Sequence, residues 1–245
     1  MTTIGLLAVW ELLCRTGVLP SELPPVTDVA VAFYRLAVSG DMWDALGNTL
    51  LQFLVGLVIG SIIGVALGVL IGLSRWADTL LRGVLEFLRF IPAVVYLPLL
   101  VLVFGLRPDV AFILGSIGAV WPTLYQTYYG VSGIPPVLSD TGRVFGLGWP
   151  QRLRFIVLPQ VSPFIVTGVR IASSHVLVVV VAAEIVVLIP GIGRDVATYA
   201  SSAAYPQMYA MIALAGILGI LVNYALAQVE RRALRWHPSQ RGEQS

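Results

Sequence analysis

The sequence contains no lysine; all fifteen of its basic residues are arginine. That excludes a Walker A phosphate loop, Schiff-base chemistry and a lysine general base in this chain. Histidine occurs only as His175 and His237, and cysteine only as Cys14. No zinc-ligand spacing, intrachain disulfide or Cys/His nucleophile pair can be assembled from these, so neither a metal site nor a catalytic residue is expected. Charge is also scarce. Only 11% of the 245 residues are charged, against about 25% in an ordinary soluble domain. The net charge of +2 is scattered and leaves no basic footprint for nucleic acid. Apolar residues fill the space: 58% of the chain is hydrophobic and the mean hydropathy is +0.89. A soluble protein of this size could not cover so much apolar surface, and the chain is too apolar for disorder. The fold class expected is an all-α, polytopic integral membrane protein, with residues 1–245 forming one transmembrane domain.

Runs of about 20 apolar residues mark spans. Ala45 to Ser74, Val110 to Ser139 and Val196 to Val229 carry no charge, and Phe90 to Leu106 is a shorter clean run. Six spans are predicted, at 2–14, 49–73, 86–104, 110–130, 160–188 and 207–227. The first lacks the basic start and small-residue cleavage site of a signal peptide and is read as a short helix. Val26 to Val38 is predicted as an amphipathic helix at the outer surface. Arginine placement sets orientation. The side reached after spans 2, 4 and 6 carries nine (75, 82, 143, 152, 154, 231, 232, 235 and 241), and the other carries four (15, 35, 107 and 194). The richer side is assigned to the cytoplasm, with both termini and a tail at 229–245.

Span 2 carries Gly56, Gly60, Gly64, Gly68 and Gly72 at four-residue spacing. Small residues at this spacing let helices approach closely in lipid. Four residues turn a helix by about 400°, so the stripe drifts around the axis and is expected to serve more than one neighbour. Span 5 contains Arg170, His175 and Glu184, each of which must face the bundle interior, a watery cavity or an interface. Arg170 and Glu184 are about 21 Å apart along the helix and cannot pair directly. All three are candidate pathway or gating residues. Glu184 would oppose a bare anionic substrate. Gly191-Ile192-Gly193 is read as an outer re-entrant turn or a plain loop.

The inner connection 131–159 is the most informative segment. Pro136 can open a helix and Gly146 can end one. Val137, Leu138, Thr141, Val144 and Phe145 then share a face. Pro150 starts a second short helix, and Pro159 marks entry into span 5. An apolar hairpin projecting from a membrane bundle needs something to dock against.

Asp140-Thr141-Gly142, then Gly146, then Ile156-Val157-Leu158-Pro159 resembles the cytoplasmic signature of the permease subunits of bacterial ABC importers. The likeness departs at the first three positions, where that family has Glu-Ala-Ala. Leu19-Pro20, Pro24-Pro25, Phe90-Ile91-Pro92, Leu97-Pro98-Leu99, Gly168-Val169-Arg170, Ala183-Glu184 and Gly191-Ile192-Gly193 look like landmarks of the nitrate/sulfonate/taurine-type branch. The resemblance spans nearly all of 19–236. It implies a type I importer permease fold, with a second permease copy, two ATPase subunits holding ATP and Mg, and an extracytoplasmic substrate-binding protein. The location implied is the bacterial cytoplasmic membrane. Asp140, Thr141, Gly142, Arg143, Val144, Phe145, Gly146, Leu147 and Pro159 become the ATPase-coupling candidates, and this chain itself would bind no cofactor. A secondary transporter or channel should instead show inverted repeats or a charge relay, and a membrane enzyme should show clustered polar side chains near one interface. Neither pattern is present in the sequence. The substrate is not legible.

Overall fold

The computed structural model describes residues 2–233, so the expected tail beyond 233, with Arg235, His237 and Arg241, lies outside the described residues. The described chain is helical, with no strand among those residues. In order the helices are α1 (Thr2–Arg15), α2 (Val26–Ser39), α3 (Asp41–Leu73), α4 (Arg75–Leu88), α5 (Leu97–Phe104), α6 (Asp109–Ser132), α7 (Pro136–Val144), α8 (Trp149–Arg152), α9 (Leu158–Val187), α10 (Ile192–Ser201) and α11 (Tyr205–Ala233). A 3-10 turn, Ala93–Tyr96, precedes α5, and a π-helical turn, Leu153–Val157, joins α8 to α9.

Among the described residues, three helical runs are long and apolar enough to cross a membrane: Asp41–Leu73, Trp149–Val187 and Tyr205–Arg232. Six were expected, and each difference has a physical cause. Helix α1 has 14 residues, about 21 Å, which is short of a hydrocarbon core of about 30 Å. Helix α6 has the length, 24 residues, but Trp121, Pro122, Tyr125, Gln126, Tyr128 and Tyr129 make its C-terminal half less apolar. The predicted span 86–104 is not one helix. Helix α4 ends at Leu88, the chain turns through Arg89–Pro92, and only Leu97–Phe104 is α-helical again. Pro92 and Pro98 lack the N–H groups that a continuous ladder would need. The separate helix α4, capped by the Ser74 hydroxyl accepting from the Ala77 N–H at 3.2 Å, was hidden because its polar residues looked like a loop.

Helices α3, α6 and α9 form the core. Gly56 lies against Phe112 and Gly115, Gly64 against Val120 and Thr123, and Gly72 against Val131, so α3 and α6 run parallel. All five stripe glycines face α6 alone, contrary to the expectation of several neighbours. A neighbour that follows an inclined i, i+4 row keeps contact with it turn after turn. Helix α6 answers with its own small residues at that spacing, Gly115, Ala119, Thr123 and Thr127. The fit is close: a Cβ on Gly64 would lie 2.7 Å from the Val120 carbonyl oxygen, and one on Gly68 2.7 Å from that of Leu124.

Helix α9 packs antiparallel on α6, with Val176 and Val180 against Gly115 and Phe164 against Gly130, and it also touches α3 through Glu184 and Thr49. Ala111, Leu114, Ala172, Val176 and Val180 are buried between them. A second cluster joins α2 and α11 to the start of α3 and to α10 through Ala32, Leu36, Met42, Ile192, Met211 and Leu214. Helix α2 therefore exists where predicted but buries one face on α11.

Candidate functional site

Beyond the C-terminal end of α6, α7, α8 and the π-turn form the predicted hairpin. Pro136 opens α7 without losing a needed hydrogen bond, since first-turn N–H groups have no helical partner. The helix ends in a Schellman motif. The Gly146 N–H donates to the Arg143 carbonyl at 3.0 Å, and the Leu147 N–H to that of Gly142 at 2.9 Å. Gly146 sits at φ 65°, a left-handed conformation that glycine adopts freely. No atom lies within 4 Å of where its Cβ would be, so close packing does not explain it.

The coupling candidates divide between two faces. Gly142 points into the chain: a Cβ there would lie 2.7 Å from Ile156 Cδ1, and the Arg152 stem lies alongside. Leu138 is half-buried on the same side, which removes it from the predicted exposed face. Val137, Val144 and Phe145 point outward and are 73%, 85% and 76% exposed. Thr141 is exposed beside them, its hydroxyl bonded back to the Val137 carbonyl at 2.7 Å. Asp140 is exposed and sits in the second turn, not at the helix start, so it is not a cap; its partner is Arg143 Nη1 at 3.1 Å. Pro159 lies within a continuous helical run that begins at Trp149, so it does not mark the entry into the helix. It follows the π-turn, whose wider spacing relieves the clash between a proline ring and the preceding turn.

The three candidates in α9 do not form one site. Glu184 is fully buried. Its carboxylate accepts from the Thr49 hydroxyl at 2.8 Å and from the Gly193 N–H at 2.8 Å. The Thr49 oxygen in turn accepts from the Ile192 N–H at 2.9 Å, and Gln52 Nε2 donates to the Pro190 carbonyl at 2.8 Å. Glu184 thus places a carboxylate at the start of α10, where unpaired N–H groups and the helix dipole favour it. Gly191-Ile192-Gly193 wraps that carboxyl group. A side chain at Gly191 would overlap it, and a Cβ at Gly193 would lie 2.7 Å from Glu184 Cβ. The segment is a re-entrant turn with Ile192 fully buried, followed by α10, a helix that was not predicted.

Arg170 faces α11, donating from Nη1 to Glu230 at 3.0 Å and from Nε to Asn223 at 3.4 Å. His175, five residues on, projects about 140° away around the helix. It lines a cleft of about 520 Å³ between the broken segment 89–94, α6 and α9. The polar lining is Arg89, Trp121, Tyr125, Gln126, Tyr129 and His175. The Arg89 guanidinium lies 5.0 Å from the Phe90 ring centre and 5.1 Å from that of Tyr125. His175 Nδ1 lies 2.9 Å from the Ile171 carbonyl. Arg89, which borders the apolar run Phe90 to Leu106, is not among the residues that the sequence singles out. The missed signal was an arginine immediately before a 17-residue uncharged stretch, Phe90 to Leu106, where it cannot sit far from the membrane. Among the described residues no three His, Cys, Asp or Glu side chains converge as a metal site.

The family described as binding-protein-dependent transport system inner membrane component matches residues 45–235. The chain belongs to that family. It is a membrane protein, and the π-turn, the hairpin, α6, α9 and all but the first four residues of α3 fall inside the matched region. A permease protein of Escherichia coli (strain K12) named for aliphatic sulfonates transport, SsuC, is 32% identical over 237 residues, covering 96% of this chain and 90% of its own length. The bicarbonate transport system permease protein CmpB of Synechococcus elongatus is 31% identical over 248 residues, covering 95% of this chain and 87% of its own. The E. coli taurine transport system permease protein TauC is 27% identical over 245 residues, covering 96% and 89%. Among solved structures, a chain of the MetNI methionine ABC transporter in an inward-facing conformation superposes with a TM-score of 0.60 at 23% identity, covering 81% of this chain and 96% of that one. A chain of an amino acid ABC transporter gives 0.62 at 17%, covering 81% and 97%. These two likenesses concern the fold.

Proposed function

We propose that this inner membrane component is the permease subunit of an ATP-driven ABC importer. Two copies form the pathway, two separate ATPase subunits bind ATP and Mg, and an extracytoplasmic binding protein delivers a small solute. The chain itself hydrolyses nothing. The observation that carries this reading is the outward face of α7. Val137, Val144 and Phe145 stand exposed on a hairpin whose opposite face is already packed on its own chain. Exposed apolar clusters of this kind mark contact surfaces. The absence of lysine removes a P-loop from this chain, so the nucleotide chemistry belongs to another. The family match and the permease relatives support the same division of labour. The arginine asymmetry supports a multi-pass topology with the hairpin and both termini in the cytoplasm.

In this scheme ATP-driven closure of the ATPases displaces α7. The motion passes through Gly142 and Ile156 to the π-turn and α9. Co-expression of the tagged chain with ATPase and binding-protein genes encoded beside it tests the proposal. A stoichiometric ATPase subunit should co-purify, and the assembly in proteoliposomes should hydrolyse ATP faster when loaded binding protein is present. A chain that purifies alone, and moves solute without ATP, would instead be a secondary transporter or channel.

A further inference from the structure

We propose that the recess behind the α7 hairpin is a binding site for a phosphate group, held by Arg143 and Arg152. The recess has a volume of about 530 Å³. Leu73 borders it from the end of α3 and Ser132 from the end of α6, Asp140 and Arg143 line it from α7, and Arg152 and Ile156 line it from the returning arm. It therefore lies beyond the apolar bundle, on the arginine-rich side.

The lining carries two cations against one acid. The Arg143 Nη1 donates to Asp140 at 3.1 Å, but both side chains are more than half exposed, so the pair is weakly held. A guanidinium has five N–H donors in a fixed fork, and this bond uses one nitrogen. Arg152 is half-buried. Its stem runs beside Gly142, where a Cβ would lie 3.4 Å from Arg152 Cγ, which anchors its head at the wall of the recess. Two guanidinium forks on one recess suit a tetrahedral dianion better than a single-charged carboxylate, because each fork can take two of its oxygens. The volume is far larger than inorganic phosphate alone. Leu73 and Ile156 supply apolar wall, and Ser132 a hydroxyl, for the group that the phosphate esterifies. Helix α7 meets its own chain where Gly142 faces Ile156. A phosphate shared by Arg143 and Arg152 adds a second tie across that seam and braces the hairpin. That this brace regulates coupling rests on the permease reading above; the site itself does not.

The test is calorimetric titration of the purified full chain in phosphatidylcholine nanodiscs, with no ATPase present. The probes are inorganic phosphate, glycerol 3-phosphate, acetate and glycerol. Both phosphates should bind saturably, glycerol 3-phosphate the more tightly, and acetate and glycerol should not bind. Arg143→Gln and Arg152→Gln should each weaken binding at least tenfold. Arg154→Gln, exposed and 5.7 Å from the Phe155 ring centre, should match wild type. Asp140→Asn removes the opposing acid and should tighten binding; a loss as large as in the arginine variants would mark a merely structural effect and overturn the proposal. So would binding of neither phosphate, equal binding of acetate, or arginine variants that bind like wild type. Phosphatidylglycerol nanodiscs separate the sources. Unchanged binding there assigns the site to a soluble phosphate, and competition by the lipid assigns it to a headgroup. Saturating glycerol 3-phosphate should also slow proteolysis of the wild-type hairpin at least threefold, and an unchanged rate would sink the brace. Because no ATPase is needed, failed binding leaves the permease reading standing, and a chain that captures no ATPase leaves the recess standing.

Discussion

The α3–α6 seam and the α7 hairpin treat apolar and small residues in opposite ways. Along the seam, Gly56 to Gly72 and Gly115 to Thr127 satisfy one another within the chain, to the point that an added methyl group would strike backbone. On the hairpin, Gly142 and Leu138 are satisfied internally, while Val137, Val144 and Phe145 meet nothing. The seam makes a rigid body. The hairpin presents an exposed apolar face, which under the proposed function would receive another chain. A transporter needs both, because a force applied at the hairpin does work only if the body it pushes does not yield.

The largest test of this contrast is Gly64→Leu. The new side chain would meet the Val120 carbonyl and Thr123 on a helix that cannot retreat. Overpacking of this kind costs about 1–3 kcal/mol or more, and we expect little folded protein by fluorescence-detected size exclusion. Gly216→Ala, in open space on α11, should leave the profile unchanged. If both variants behave alike, the seam is not rigid.

Next comes the Glu184 network. Glu184→Leu strands the Gly193 N–H and the Thr49 hydroxyl in a buried site, for a loss of roughly 1–3 kcal/mol. Thr49→Ser should cost less, because its hydroxyl can still donate to Glu184 and accept from the Ile192 N–H. Thermal melts in detergent check the order, and equal melts would remove the carboxylate from its role in holding α10. Gly146→Ala places a Cβ on a left-handed residue and should cost about 1–2 kcal/mol locally. Proteolysis of the hairpin should accelerate while the global melt stays in place. A fall in the global melt would mean that hairpin and seam are one cooperative unit. Smallest is Arg170→Gln. An exposed ion pair is worth about 0–1 kcal/mol, and a large loss would make the α9–α11 contact part of the rigid body.

The sequence exposed these regions unevenly. Glycines at a four-residue spacing were visible, and so was the hairpin, because Pro136, Gly146 and Pro150 punctuate it. The partner of the glycine stripe was not, since Ala119, Thr123 and Thr127 look ordinary until two helices are laid together. The break at Arg89–Pro92 was hidden by a hydropathy run that continues across it to Leu106. Helix α10 escaped notice because its start is fixed by Glu184, a bond between residues nine apart on different helices. The cleft needs three elements at once, and no linear pattern marks it. Arg170 and His175 were both legible as unusual, but only their opposite directions around α9 separate an α11 tie from a cleft residue.

The most direct measurement is site-specific photocross-linking from α7 in the assembled complex. Val144→Cys, in a Cys14→Ser background, would carry a benzophenone on the outward face, and Tyr34→Cys on α2 would serve as the outer-side control. The account predicts a cross-link from position 144 to the ATPase subunit, stronger or weaker with bound nucleotide, and none from position 34. No cross-link at 144, or equal cross-links at both positions, would contradict the claim that the free face of α7 is where ATP hydrolysis reaches this chain.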